Sequence, residues 1–425
     1  MCIVMYLHTM NIHFIGIGGH GMSSLAEHYL RLGYTITGSD RAKTDITMTL
    51  ETLGIAIFYE HKSTNIPINT VLIVYSIYVS DDNDELKYAK NNGIKHLTYV
   101  EAVGELTHKY RTIAICGTHG KSTTTAFTGL LLEHLGIDIT VLGGAFLPQW
   151  NNRNYRYGSS EWLVLEACEW RQNFLHYTPE VAICTNIELD HIDYYTSDEH
   201  YNSAFKAFFE KCTYVIYNEN DSRTEALIPL EKRLLAPSTI TNTLEINALG
   251  QHNKENATLA YTLAKSIFNA TDTDIRTGLQ RFTGIYRRQE YIGMYQNVKI
   301  FDDYAHHPTA VYKTLEAFRS AYPNSKIGVL WELHGPRFTM LDEFCKSLRS
   351  INNIALAHYK TYIPADFMPL TDPDIAISHA IPESTFIMND ADLRRFIDNN
   401  LTNNDILICF SAGRASDVIR RIVDK

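Results

Sequence analysis

Gly117-Thr118-His119-Gly120-Lys121-Ser122 stands where an apolar run, residues 112–116, gives way to a Thr-rich stretch of helical period. Glycines at such a junction leave backbone N–H groups open to phosphate oxygens, a lysine neutralises the terminal phosphoryl group, and a Ser or Thr hydroxyl reaches Mg2+. Ile115 occupies the place of the first glycine in the longer GxxxxGK[ST] loop, so this loop is a shortened one that runs on into Thr123. Gly16, Gly18 and Gly21 make a second loop, GxGxxG, and Asp40 follows 19 residues after Gly21. That spacing suits a pyrophosphate on a helix N-terminus and an acid on a ribose hydroxyl, in a dinucleotide or in another diphosphate nucleotide.

Glu166 and Glu169 end a third apolar run, and Asn186, Asp190, His191 and Asp193 follow a fourth as TNIELDHID. Taken singly, these are a rim charge, a helix cap and a polar residue satisfied locally. Beside a phosphate loop the carboxylate and imidazole become candidates for holding a hard divalent cation against phosphate oxygens. Further along, Gly250-Gln251-His252-Asn253 precedes a helical run, and an Asn amide there either reads a purine edge or caps the helix. Asp302, Asp303, Tyr304, His306 and His307 gather before Pro308, and His334 and Arg337 follow the next apolar run, a rim suited to a small zwitterion.

Positioning these groups requires strand–loop–helix units. Val- and Ile-rich runs alternate with helical stretches throughout the 425 residues, which predicts α/β units around parallel sheets. Strands are expected over 11–19, 34–40, 161–169, 180–186, 298–306, 326–333 and 405–413, and a helix over 22–33. Three such units in series give segments 1–105, 106–291 and 292–425. A hydrophobic content of 45% rules out a disordered or fibrous chain. With 38 Lys and Arg against 48 Asp and Glu, the net charge of −10 offers no general attraction to nucleic acid or anionic membrane. No apolar run approaches the ~20 residues of a spanning helix. The opening MCIVMYLHTM lacks the basic start and cleavage site of a signal peptide, and seven scattered cysteines without a CxxC argue against disulfides or zinc. A cytoplasmic protein is expected.

In order along the chain, HFIGIGGHGMSSLAE, GTHGKSTTT, LEACE, TNIELDHID, GQHNKENA, GIYRRQE and DDYAHHPT resemble the motifs of the Mur ligase family, from residue 12 to about 309, with weaker similarity to the end. The resemblance implies three domains: a Rossmann-like domain for the UDP-sugar, a central phosphate-loop ATPase domain and a Rossmann-like C-terminal domain for the amino acid. It implies an ATP-dependent amide-bond-forming ligase of cell-wall precursor synthesis that joins L-alanine to the lactoyl carboxylate of UDP-N-acetylmuramate through an acyl phosphate. Gly16, Gly18, Gly19, Gly21, Met22, Asp40 and Ser76 would then hold the UDP-sugar. ATP would meet Gly117 to Thr123 and Asn186, with His252 and Asn253 near adenine and Arg287, Asp302 and Asp303 completing the nucleotide site. Lys121, Glu166 and His191 would be catalytic. Ser122, Glu166 and His191 would hold Mg2+ or Mn2+, and Tyr304, His306, His334 and Arg337 would border the amino acid.

This chain departs from the family pattern in several places. The stretch that commonly reads EADESD is Glu166-Ala167-Cys168-Glu169-Trp170-Arg171, with Cys168 and Arg171 in place of two acids. A PHxxSRT stretch appears as residues 333–339 with its arginine displaced by one position, and residues 211–250 are shorter than the family norm. Lys206, 15 residues past His191, is the candidate for the carbamoylated lysine of some sister ligases. Two alternatives compete with alanine ligation. One is a recycling ligase that adds a ready-made tripeptide to the same sugar; the other is a nicotinamide-dependent oxidoreductase, which leaves Lys121 and Ser122 unused.

Overall fold

The computed structural model describes residues 10–333, 340–349, 351–357 and 380–423. Among them the strands form three sheets. The first contains β1 (Asn11–Ile15), β2 (Thr35–Ser39), β3 (Ala56–Phe58), β4 (Thr70–Tyr75) and β5 (His96–Thr98), all parallel, in the order β3-β2-β1-β4-β5. A second sheet holds β6 (Arg111–Cys116), β7 (Thr140–Leu147), β8 (Arg153–Arg156), β9 (Trp162–Glu166), β10 (Val181–Cys184), β11 (Tyr214–Asn218) and β12 (Arg233–Ala236), ordered β12-β11-β10-β6-β9-β7-β8. The third combines β13 (Glu290–Tyr295), β14 (Val298–Asp303), β15 (Ile327–Trp331), β16 (Asn353–Ala357), β17 (Thr385–Ile387) and β18 (Ile406–Phe410), ordered β13-β14-β18-β15-β16-β17.

All five positions of β1 and of β18 are buried, as are five of the six in β6, because helices cover both faces of a parallel sheet. The expected α/β pattern is present, but two edge strands break it. β8 pairs antiparallel with β7, and β13 pairs antiparallel with β14. The second pair is closed by Gln296 (φ 47°) and Asn297 (φ 62°), two left-handed residues in the arrangement that matches the twist of a tight hairpin.

The chain divides into two compact units, one reaching Ile240 and including Ala257–Arg281, the other combining Thr241–Asn256 with everything from Phe282 on. In the first unit one continuous apolar cluster passes from Phe14 and Leu25 through Leu106 to Leu163, Phe205 and Phe208, so the first two sheets are held by shared burial. In the second, Phe301, Phe318 and Trp331 pack one face of the third sheet, and Ile300, Leu407 and Ile419 the other.

Strand order sets where ligands collect. In the first sheet the order reverses between β1 and β4, and in the second it reverses about β6; crevices at the carboxyl ends of such strands are the binding positions of α/β folds. The helix His20–Arg31, which follows the first glycine loop, also anchors the two sheets to each other. Its His28 is fully buried and meets the Tyr155 hydroxyl through Nδ1 at 3.1 Å and the Tyr110 hydroxyl through Nε2 at 3.4 Å. Beside it Glu27 pairs with Arg153 at 2.9 Å.

Burial, helped by the Lys109 charge, lowers the His28 pKa to about 4. The unfolded chain, with an ordinary histidine, binds this proton more readily, so stability is lost as pH falls from about 6.5 towards 4. The expected loss is on the order of 3 kcal/mol over that window. Urea unfolding at stepped pH checks it: His28→Gln flattens the acid limb, and a wild-type limb as flat as the variant's would refute the assignment.

Candidate active site

The second glycine loop leaves β6 at Gly117 and ends at Gly120, which opens the helix Lys121–His134. Both glycines are left-handed, with φ of 121° and 85°. A Cβ at Gly117 would lie 2.7 Å from the Asn186 carbonyl oxygen, so close packing against the loop after β10 also demands glycine there. No side chain caps this helix. Asn186 pins the loop from the neighbouring strand: its Oδ1 accepts the His119 N–H at 3.1 Å and its Nδ2 donates to the His119 carbonyl at 3.0 Å. Thr118 donates to the Glu188 carbonyl at 2.7 Å and meets the Tyr201 hydroxyl at 3.0 Å.

Lys121 points back across this loop. Its Nζ donates to the Gly117 carbonyl at 2.5 Å and to both Glu169 oxygens, at 2.9 and 3.2 Å. Glu169 is fully buried, and its backbone carbonyl accepts the Tyr195 hydroxyl at 2.5 Å. His191 Nε2 lies 3.6 Å from Glu169 Oε1, the oxygen that Lys121 meets at 3.2 Å. Burial alone would lower the Lys121 pKa, but the Glu169 carboxylate, with Cys168 and Glu166 behind it, holds the ammonium above its ordinary range. Glu169 shows the converse: burial would raise its pKa, and Lys121 and His191 outweigh it. The Cys168 thiol is pushed up to about 12 by burial and then by Glu169, which leaves it protonated and a poor nucleophile.

Glu166 ends β9, beside β6. One of its oxygens, Oε2, is buried without a hydrogen-bond partner, and the carboxylate fills the space a Cβ at Gly144 would take, 2.5 Å from that oxygen. A buried, unpartnered carboxylate oxygen is a donor of the kind a hard divalent cation takes up, so Glu166 suits the expected metal. His191 itself is left-handed, φ 53°, and its N–H donates to Asp190 Oδ1 at 2.7 Å.

The first glycine loop lies in the same unit. The Gly16 N–H donates to the Ser39 carbonyl at 2.8 Å, and a Cβ there would sit 3.2 Å from that of Ser76. Asp40 accepts the Gly18 N–H at 2.8 Å, so one oxygen of the expected ribose acid already shapes the loop. Gly19 begins the next helix without a side-chain cap, and Met22 is buried beneath it. A Cβ at Gly21 would meet the Tyr99 ring at 2.6 Å. Burial raises the Tyr99 pKa, and the Glu166 charge adds to it.

In the second unit Asn253 Nδ2 donates to the Leu249 carbonyl at 2.8 Å and to Gln289 at 3.2 Å, beside His252, whose pKa falls to about 4 through burial and then Lys313. Arg287 and Asp302 meet each other, Nε to Oδ2 at 3.3 Å, and Asp302 also binds Arg420 at 2.7 Å. Asp303 accepts the N–H groups of Gln289 and Ala305, and burial raises its pKa to about 6. Tyr304 and His306 stack edge to face, their centroids 5.0 Å apart. His334 and Arg337 lie outside the described residues. Spacing alone drew no role from Tyr99, Tyr195 or Tyr201, and it left Glu169 as one strand-end acid of two.

Two nucleotide-type glycine loops on parallel sheets, the second carrying a lysine within reach of paired acids, define a phosphate-loop nucleotide-binding enzyme. The chain matches the Mur ligase family catalytic domain over residues 11–111, the Mur ligase middle domain over 115–234 and the Mur ligase glutamate ligase domain over 287–413. It is 32% identical to the UDP-N-acetylmuramate–L-alanine ligase of Acetivibrio thermocellus, across 95% of this chain and 93% of that one. Identity to the ligase of the same name from Clostridium tetani is 33%, over 86% and 85%. The fold superposes on the UDP-N-acetylmuramate–alanine ligase of Thermotoga maritima with a TM-score of 0.80 at 25% identity, covering 97% and 98% of the two chains. A murein peptide ligase from Psychrobacter arcticus shares the fold at 22% identity, TM-score 0.70. The chain belongs to the Mur ligase family and is an ATP-dependent amide-bond-forming ligase.

Removing one partner of the Lys121–Glu169 pair strands a charge. Glu169→Gln is expected to cost about 3 kcal/mol of stability in urea unfolding. The double variant Lys121→Met/Glu169→Gln should recover part of that loss. An unchanged midpoint for Glu169→Gln would show that the pair contributes nothing.

Proposed function

We propose that the chain joins L-alanine to the lactoyl carboxylate of UDP-N-acetylmuramate, with ATP hydrolysed to ADP and phosphate, in peptidoglycan precursor synthesis. The observation that carries this reading is the pairing of Lys121 with buried Glu169 beside Glu166 and His191, in one unit with the Gly16–Gly21 loop. Near full-length similarity to ligases of that name supports the choice of substrates.

Segment 1–105 serves the UDP-sugar, 106–291 the ATP, and 292–425 the amino acid, with Tyr304 and His306 on its rim. A carboxylate is a poor electrophile, so its oxygen first attacks the γ-phosphorus of ATP and ADP leaves. Lys121 spreads the charge that accumulates on the transferred group, which in a water-poor site is the largest stabilisation a side chain offers. The acyl phosphate then receives the deprotonated amine of alanine, and the tetrahedral adduct expels phosphate to leave the amide. Backbone N–H groups of Gly117, Gly120 and Lys121 orient the triphosphate, Asn186 keeps that loop in shape by holding the Thr118 and His119 N–H groups, and Glu169 holds Lys121 charged and aimed. Ser122, Glu166 and His191 would hold Mg2+ or Mn2+, which neutralises phosphate charge when bound. No cysteine is needed as a nucleophile.

No helix among the described residues is long and apolar enough to cross a membrane. ATP and nucleotide sugars are cytoplasmic metabolites, and we place the enzyme's work there.

Phosphate release is expected when ATP, UDP-N-acetylmuramate and L-alanine are supplied together. Turnover only with a murein tripeptide, or only with another amino acid, would replace this acceptor assignment. Lys121→Ala should lower kcat about a thousandfold. The thermal shift that UDP-N-acetylmuramate gives should survive in that variant; loss of both together would contradict separate nucleotide loops.

A further inference from the structure

Between the two glycine loops an aromatic pair has no part in the chemistry above. Tyr78 lies two residues past Ser76, the residue that abuts Gly16, and its N–H reaches the Ser76 hydroxyl at 3.4 Å. Trp170 follows Glu169, the partner of Lys121. The two rings stack with centroids 6.2 Å apart and planes 25° from parallel. Trp170 donates its indole N–H to Asp193 at 3.3 Å, two residues beyond His191, and the Arg171 guanidinium lies 4.8 Å over the indole.

Burial does not explain this arrangement. Tyr78 is 81% exposed, and Arg171 is exposed as well. The backbone works against it: Arg171 (φ 50°, ψ 29°) and Gln172 (φ 60°, ψ 25°) are consecutive left-handed residues with side chains. Such strain persists where surrounding contacts over-determine the loop, and it clusters at ligand sites. Here the Gln172 N–H is tied to the Glu169 carbonyl at 2.8 Å and the Phe174 N–H to the Cys168 carbonyl at 3.1 Å. The result is an open aromatic face with a cation beside it, next to Glu169 in the chain and two residues from Ser76, which abuts Gly16.

We infer that Tyr78, Trp170 and Arg171 form a platform that receives the pyranose ring of the nucleotide sugar and selects sugar-bearing nucleotides over a bare nucleoside diphosphate. This rests on the function proposed above and goes beyond it. A diphosphate at the Gly16–Gly21 loop and an acceptor carboxylate at Lys121 are two ends of one molecule, and the sugar is what lies between them. The Tyr78–Trp170 contact joins the chain after β4, which abuts Gly16 through Ser76, to the chain after β9, which carries the Lys121 partner Glu169. A pyranose presents a face of C–H groups that packs on an aromatic ring, while its substituents offer oxygens to the Arg171 N–H groups.

Tryptophan emission tests the platform directly, because Trp150, Trp162 and Trp331 are buried. UDP-N-acetylmuramate and UDP-N-acetylglucosamine should each change the emission and UDP should not, and Trp170→Phe should abolish the response. In steady-state assays Trp170→Ala should raise the KM for UDP-N-acetylmuramate about tenfold, roughly one stacking contact, with the KM for ATP within about twofold. Trp170→Phe, which keeps an aromatic face, should restore most of that loss, whereas a merely structural role would move both KM values. Turnover with an unchanged sugar KM in Trp170→Ala, or an equal response to UDP, would overturn the platform. A wild-type enzyme inactive with UDP-N-acetylmuramate and every acceptor would instead overturn the function on which it rests.

Discussion

A buried lysine and a buried carboxylate depend on each other at the centre of this molecule. In the function proposed here Lys121 must stay charged to meet phosphate oxygens, yet the enclosed position that strengthens its field also disfavours the charge. Glu169 resolves the conflict at 2.9 Å. It requires support in turn, because an acid that is fully buried survives ionised only with donors around it. Lys121, His191 and the Tyr201 hydroxyl surround its side chain, and they come from three separate places along the chain.

That requirement explains much of the surrounding architecture. β6, β9 and β10 are adjacent and parallel, so their carboxyl ends bring the loop after Cys116, the acids after Leu165 and the residues after Cys184 to one edge. The helix Asp198–Lys211 supplies Tyr201 and buries Phe205 and Phe208 in the core that also carries the first sheet. Because that core is continuous, the two glycine loops are fixed in one body, with Tyr99 packed against Gly21 and Tyr78 stacked on Trp170. Reactants that must meet in line gain from sites built on shared rigid elements.

The second unit has a different electrostatic character. Asp302 is buried with Arg287 and Arg420, and Glu332 caps the helix Ala415–Ile422 through the Ala415 N–H at 3.0 Å. These are internal ties that hold β14, β15 and β18 to the helices flanking them. Asp303 differs: burial leaves its carboxyl near the edge of neutrality, while two backbone N–H groups hold it in place.

Local rules decided a great deal in advance. Glycine spacing, apolar runs and the lysine and serine after Gly120 mark both loops and most of the strands, because each depends on neighbours a few residues away. The motif order from the Gly16 loop to Asp302 was enough to indicate the family. What the chain could not announce is who partners whom across large separations. Glu169 rather than Glu166 pairs with Lys121, 48 residues back, and Tyr99 packs against Gly21. Tyr78 stacks on Trp170, and β8 and β13 run against their neighbours. Those outcomes follow from which strands lie side by side and which surfaces share a core, and only the folded chain settles that, since burial and charge pairing act through space and not along the sequence.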